Sequence, residues 1–192
     1  MSPKCRSCLH HAAREILVVK CDQKMQYSIW IPIQGKAGQT LTDLVKRLAK
    51  KYNGPVFEPH LTLLSPIPEK KETVIEKANE IAKSINLFKL TTANIDYGNT
   101  YFQCVFIKVN TSKPLIETAL FARTLFGINS TFIPHISLFY GKVTDKTREG
   151  ILKSVKLPKL SFIAEKIVVA PAGESAPDPK DWTHLAEIPL QF

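Results

Sequence analysis

The sequence predicts an α+β or α/β fold with two sheet lobes, and two observations carry that expectation. Strand-like and helix-like segments alternate along the 192 residues, and one eight-residue pattern occurs twice, in halves of similar length. A chain this long buries a full core as one compact domain or two small lobes, and needs no separate second domain. Hydrophobic residues make up 44% and charged residues 22%, ordinary usage for a soluble globular protein, which argues against a disordered or fibrous class.

Gln26 to Ile33 (QYSIWIPI) is aromatic and β-branched and reads as the first strand. Thr40 to Tyr52 follows with Leu41, Leu44, Val45 and Leu48 at helical spacing, stopped by Asn53-Gly54-Pro55. A second strand covers His60 to Leu64, and a Pro-rich turn leads from it into an amphipathic helix, Glu72 to Ile85. Phe88 to Tyr97 and Tyr101 to Val109 read as a hairpin across Gly98-Asn99. The second half repeats the order: a helix from Pro114 to Phe126, a strand from His135 to Tyr140, a helix from Asp145 to Val155. Strands around Phe162 to Val169 and Thr183 to Ile188 complete it, with Pro171 to Pro179 between them as a loop.

The repeat sets Phe57-Glu58-Pro59-His60-Leu61-Thr62-Leu63-Leu64 beside Phe132-Ile133-Pro134-His135-Ile136-Ser137-Leu138-Phe139, 75 residues apart when counted from position 60 to 135. Phe, Pro, His and Leu hold the same places, and a hydroxyl stands two residues after each His. A lone His-x-Thr arises often by chance; a repeated octet does not. The two-residue period of a strand puts His60 beside Thr62, and His135 beside Ser137, on one face, while Leu61, Leu63, Ile136 and Leu138 point to the other. Pro59 and Pro134 fit the start of a strand, where a missing N–H does least harm. Duplicated halves related by a pseudo-twofold axis would bring both histidines together.

Such a set suits the opening of a cyclic phosphate. In-line attack by water needs a base for the water's proton and an acid on the opposite side for the leaving oxygen, and imidazole serves as either near neutral pH. Hydroxyl donors to the non-bridging oxygens stabilise the charge without a metal. The bland alternative, two core histidines satisfied on strands, would serve for one His but poorly for a matched pair.

These two motifs resemble those of the two-histidine phosphoesterase superfamily, and more closely the cyclic phosphodiesterases of plants and yeast. Those enzymes act on ADP-ribose 1″,2″-cyclic phosphate and nucleoside 2′,3′-cyclic phosphates. The likeness extends to Tyr27-Ser28-Ile29-Trp30, Gly54-Pro55, Phe102-Gln103-Cys104-Val105-Phe106, Tyr140 and Trp182-Thr183, and so covers roughly residues 25 to 190. The resemblance implies an α+β bilobal fold, two pseudo-twofold lobes with antiparallel sheets around a central cleft and helices outside. It implies His60 and His135 as catalytic, Thr62 and Ser137 as phosphate-binding, and Trp30 and Tyr140 at the substrate, each aromatic having a core reading beside it. It implies no metal and no cofactor. The expected ligand is the cyclic phosphate of a nucleotide or of ADP-ribose, with RNA ends as a further possibility, and the protein is expected to be monomeric.

An RNA-end phosphodiesterase or 2′-5′ RNA ligase-like enzyme of the same superfamily shares the site, and a non-catalytic nucleotide-binding or RNA-binding module remains a third class. The third needs no acid and base on opposite sides. The net charge of +9 favours anionic partners, although much of it lies at helical spacing that suits a solvated face. Ile16 to Val19 is far too short to span a bilayer, so no membrane association is expected and the protein reads as cytoplasmic. Its four cysteines are then expected as thiols. Residues 1–24 read as a poorly ordered extension before a single domain over 25–192, with Met25 as an alternative start. A zinc set from Cys5, Cys8, Cys21, His10 and His11 has irregular spacing for a finger. His184 lacks a hydroxyl at plus two, where Ala186 stands, and reads as structural or solvent-facing.

Overall fold

The computed structural model describes residues 25–173 and 176–192. The expectations placed on Cys5, Cys8, His10, His11, Cys21 and the rest of residues 1–24 therefore lie outside the described residues. In chain order the elements are β1 (Gln26–Pro32), α1 (Gly35–Tyr52), β2 (His60–Ile67), α2 (Lys71–Lys83) and β3 (Phe88–Tyr97). Then follow β4 (Val105–Val109), α3 (Lys113–Phe126), β5 (His135–Phe139), α4 (Asp145–Ser154), β6 (Ser161–Ala164), β7 (Lys166–Ala172) and β8 (Ala186–Pro189).

The strands form a curled, antiparallel eight-stranded sheet in the order β6-β3-β4-β5-β2-β1-β7-β8. The two expected lobes are its two halves, β2-β1-β7-β8 and β5-β4-β3-β6, and their sheets run into one another through a single registered pair, Leu61 with Ile136. Helices exchange across this seam. α1 follows β1 but packs on β5 of the other half, and α3 follows β4 but packs on β2. Each half is thus completed by the other's helix, which holds the pseudo-twofold arrangement together.

One face of the sheet, with Ile29, Ile31, Leu61, Leu63, Ile136 and Leu138, joins the core beneath the helices, as the strand period requires. The opposite face carries the histidines and lines a cleft. α1 starts five residues earlier than its apolar pattern suggests, at Gly35, and Thr40 lies inside it, its hydroxyl donating to the Lys36 carbonyl at 2.8 Å. A Cβ on Gly38 would stand 2.0 Å from the Ile33 carbonyl oxygen, so that first turn exists because glycine lets it press against the end of β1. At the other end, a Cβ on Gly54 would meet the Phe139 ring at 2.4 Å. The Gly54-Pro55 pair before the first octet therefore seats the approach to His60 against the end of β5.

Three expectations need correction. The segment Phe162 to Val169 is two strands on opposite sides of the seam. β6 pairs with β3 at one edge, and β7 pairs with β1 and β8. Only Glu165 separates them, and with no Gly or Pro there the apolar pattern reads straight through. β7 also runs on through Pro171, which pairs with Tyr27 past the last residue matched to β8. The hairpin strand expected from Tyr101 begins only at Val105. Residues 98–104 form a loop, closed by hydrogen bonds from the Gly98 N–H to the Cys104 carbonyl and from the Gln103 N–H to the Thr100 hydroxyl.

Candidate active site

The repeated octet is built the same way in both halves. Each histidine is the first residue of its strand, β2 or β5. Just before it, the proline carbonyl accepts a backbone N–H from the neighbouring strand segment, Pro59 from Ile33 and Pro134 from Val109. The carbonyl two residues before each ring accepts its Nδ1–H, Glu58 for His60 and Ile133 for His135, both at 2.7 Å. A carbonyl can only accept, so Nδ1 carries the hydrogen in both rings and Nε2 holds the lone pair of the neutral form.

The adjacent strand supplies an aromatic ring in the equivalent place. Trp30 of β1 pairs with Thr62, and Phe106 of β4 pairs with Ser137. Trp30 stacks on His60 with centroids 3.9 Å apart and planes 13° apart, whereas Phe106 meets His135 edge-on at 5.1 Å and 61°. His60 is consequently 7% exposed, while His135 stays half-buried.

Burial lowers both imidazoles because an imidazolium loses hydration there. For His60 this pulls the pKa from 6.5 to about 4, with the Glu58 carbonyl opposing and charges on His135 and His184 adding to the fall. His135 is also lowered by burial, against the pull of the Ile133 carbonyl. His184, read as structural or solvent-facing, is half-buried and held at both nitrogens, by Glu58 at 2.7 Å and Glu187 at 2.6 Å. Burial works against its protonation, but the two carboxylates outweigh that and raise its pKa. Through Glu58 it is anchored beside the carbonyl that holds His60, a link between positions 184 and 58 that strand patterns do not announce.

All six singled-out residues, Trp30, His60, Thr62, His135, Ser137 and Tyr140, line one cleft of about 410 Å³. Their states differ. The Thr62 hydroxyl has no hydrogen-bond partner among the described residues, whereas the Ser137 hydroxyl donates to the Phe102 carbonyl at 3.0 Å. Trp30 and Tyr140 are each only 3% exposed, so both aromatics are largely packed, combining the core and cleft readings. Tyr140 stacks on Phe57 at 3.9 Å, within a cluster that includes Tyr101, Phe102 and Trp182. Burial holds its phenol above the ordinary range, so it stays a neutral donor. The loop 98–104 thus does two things that a strand there would not: it brings Tyr101 and Phe102 to the cluster and a carbonyl to Ser137. Among the described residues no group of three or more His, Cys, Asp or Glu is arranged to hold a metal ion, and no helix is long and apolar enough to cross a membrane.

Comparison with known proteins places this site in context. The model of the family described as cyclic phosphodiesterase-like protein matches residues 25–157. A curated relative, the cyclic phosphodiesterase of Arabidopsis thaliana, is 22% identical over 130 residues, which cover 67% of this chain and 72% of the relative. Among solved structures, a protein of Thermus thermophilus superposes with TM-score 0.62 at 16% identity, covering 87% of this chain and 98% of its own. LigT of E. coli, in a complex with NADP+, superposes with TM-score 0.58 at 15% identity, covering 88% and 99%. These last two establish likeness of fold.

Proposed function

The chain belongs to the cyclic phosphodiesterase-like family, an enzyme family of the two-histidine phosphoesterase superfamily, and from that premise we propose that it opens cyclic phosphates on nucleotides or ADP-ribose, with His60 and His135 moving the protons and no metal taking part. The observation that carries this reading is the matched pair itself: two imidazoles in one cleft, each fixed through Nδ1 so that Nε2 is free to exchange a proton.

We read the roles from their unequal environments. A group with pKa about 4 is protonated in roughly one molecule in a thousand at pH 7, so His60 is poorly suited to give a proton and well placed to take one. His135, less buried, is the acid. Water attacks phosphorus while His60 takes its proton; the bond from phosphorus to the departing ribose oxygen breaks, and His135 gives that oxygen its proton. Solvent then resets both rings. Thr62 donates to a non-bridging oxygen, and Ser137 does so by turning from the Phe102 carbonyl. Trp30 and Tyr140 border the sugar and hold it for in-line attack. For a nucleoside 2′,3′-cyclic phosphate the proposed product is the 2′-phosphate, with the 3′ oxygen leaving.

The test is an activity panel in EDTA, comparing ADP-ribose cyclic phosphate, the four nucleoside 2′,3′-cyclic phosphates and RNA with a 2′,3′-cyclic end, with product identity read by phosphorus NMR. Turnover of the small substrates in chelator is expected. Turnover of RNA alone would favour the RNA-end alternative, and loss of all activity in EDTA with recovery on adding zinc would overturn the metal-free mechanism.

A further inference from the structure

The cleft extends past Thr62, and two buried polar groups there have no partner among the described residues. β2 runs from Thr62 toward Ser65 antiparallel to β5, whose approach through residues 132–134 leads into His135. Ser28 lies beside that stretch of β2, between Tyr27, which pairs with Ile67, and Ile29, which pairs with Leu64. The residue is 2% exposed, and its hydroxyl has no hydrogen-bond partner among the described residues. Arg123, from the last turn of α3, lines the same cleft with its guanidinium over the Phe132 ring, 5.4 Å from the centroid. Its Nη1 is likewise buried without a partner, and the guanidinium forms no ion pair or hydrogen bond among the described residues. The Phe132 ring offers the cation a π face and no hydrogen-bond acceptor.

The other half gives the contrast. The octet counterpart of Phe132 is Phe57, which packs behind the cleft wall by stacking on Tyr140, and Tyr140 lines that end of the cleft together with Phe102 and Trp182. One end is therefore apolar and suits a sugar or base. The opposite end presents a hydroxyl donor and a guanidinium fork with no ion pair among the described residues, which together match a group with several anionic oxygens.

Resting on the cyclic-phosphate reading, we propose that the end of the cleft bounded by Ser28 and Arg123 binds a second phosphate of the same substrate, so that the enzyme selects cyclic phosphates whose nucleotide carries a further phosphoryl group. Two sources share this chemistry: a 5′-phosphate monoester and the pyrophosphate of ADP-ribose.

The experiment measures kcat/KM for adenosine 2′,3′-cyclic phosphate with and without a 5′-phosphate, and for ADP-ribose cyclic phosphate, in the full chain and in Arg123→Gln and Arg123→Lys. The phosphate-bearing substrates are expected to exceed the bare nucleoside by about tenfold or more in the wild type, as suits a charge-assisted contact. That ratio should fall toward one in Arg123→Gln and partway in Arg123→Lys, and whichever phosphate-bearing substrate loses more identifies the source. A wild-type ratio of one, or a ratio that survives Arg123→Gln, would overturn the proposal. If Arg123→Gln does not fold, an unchanged ratio in Arg123→Lys, which lacks the fork, does the same. Calorimetric binding of adenosine 2′,5′-bisphosphate against adenosine 2′-phosphate needs no turnover. A chain that turned over none of these substrates would sink the cyclic-phosphate reading, while the binding difference would still decide the subsite.

Discussion

The first and second halves of the cleft share a backbone plan and differ in almost every side-chain environment. Both histidines start a strand and hold a carbonyl two residues back, but His60 lies flat under Trp30 and His135 meets only the edge of Phe106. Among the described residues the Thr62 hydroxyl has no partner, where Ser137 is tied to a loop, and Phe57 packs on Tyr140 where Phe132 carries Arg123. Burial lowers both imidazoles, His60 to about 4 and the more exposed His135 also below its ordinary value, and the proposed division into base and acid rests on this difference in exposure.

Removing either ring should break the comparison with the largest effect. His60→Ala and His135→Ala are each expected to lower kcat on a cyclic phosphate by about 10²- to 10⁴-fold with the fold intact by circular dichroism. The double variant should be barely slower than the worse single, because the pair acts as a unit. Near-normal turnover in one single variant would remove that residue from the mechanism.

The neighbouring aromatics come next. Trp30→Ala should cost more activity than Phe106→Ala, about tenfold against a few-fold, since only Trp30 covers its histidine face to face. It should also lower stability by about 3–5 kcal/mol, as for other large core truncations. Equal effects in a side-by-side denaturation and kinetic series would mean that the stacking does not distinguish the halves.

The smallest expected effect is on pH dependence. A base works when deprotonated, so kcat/KM should rise as pH climbs through the His60 value, about 4. An acid works when protonated, so it should fall as pH climbs through the His135 value, itself below 6.5. The free enzyme should therefore show an acidic optimum. His184, between Glu58 and Glu187 with Lys166 beyond, opposes charge on His60. His184→Gln should move the acidic limb up by a fraction of a pH unit, and a downward shift would assign the opposite sign to that coupling.

Much of this was legible in the sequence. The octets carry their own register, because proline, histidine and a hydroxyl on a two-residue period leave one way to face a cleft and bury Leu61, Leu63, Ile136 and Leu138. The helices were legible as periodic apolar faces, apart from the Gly35 turn, which depends on a close approach to Ile33 rather than on apolar spacing. What did not show was non-local. The break at Glu165 is made by strand pairing on opposite sides of the seam, and the loop at residues 98–104 by aromatic contacts to Tyr140 and Trp182. Arg123 and His184 have no motif around them; only the folded chain brings one to Phe132 and the other to Glu58.

The inequality of the two histidines is tested most directly by changing the leaving group. A phosphodiester with a p-nitrophenyl leaving group departs without a proton, so it needs the base and not the acid. On this substrate His135→Ala should recover most of the activity that it loses on a nucleoside 2′,3′-cyclic phosphate, while His60→Ala stays impaired. Recovery in His60→Ala instead would reverse the roles, and equal impairment of both variants would contradict a division of labour between the two halves.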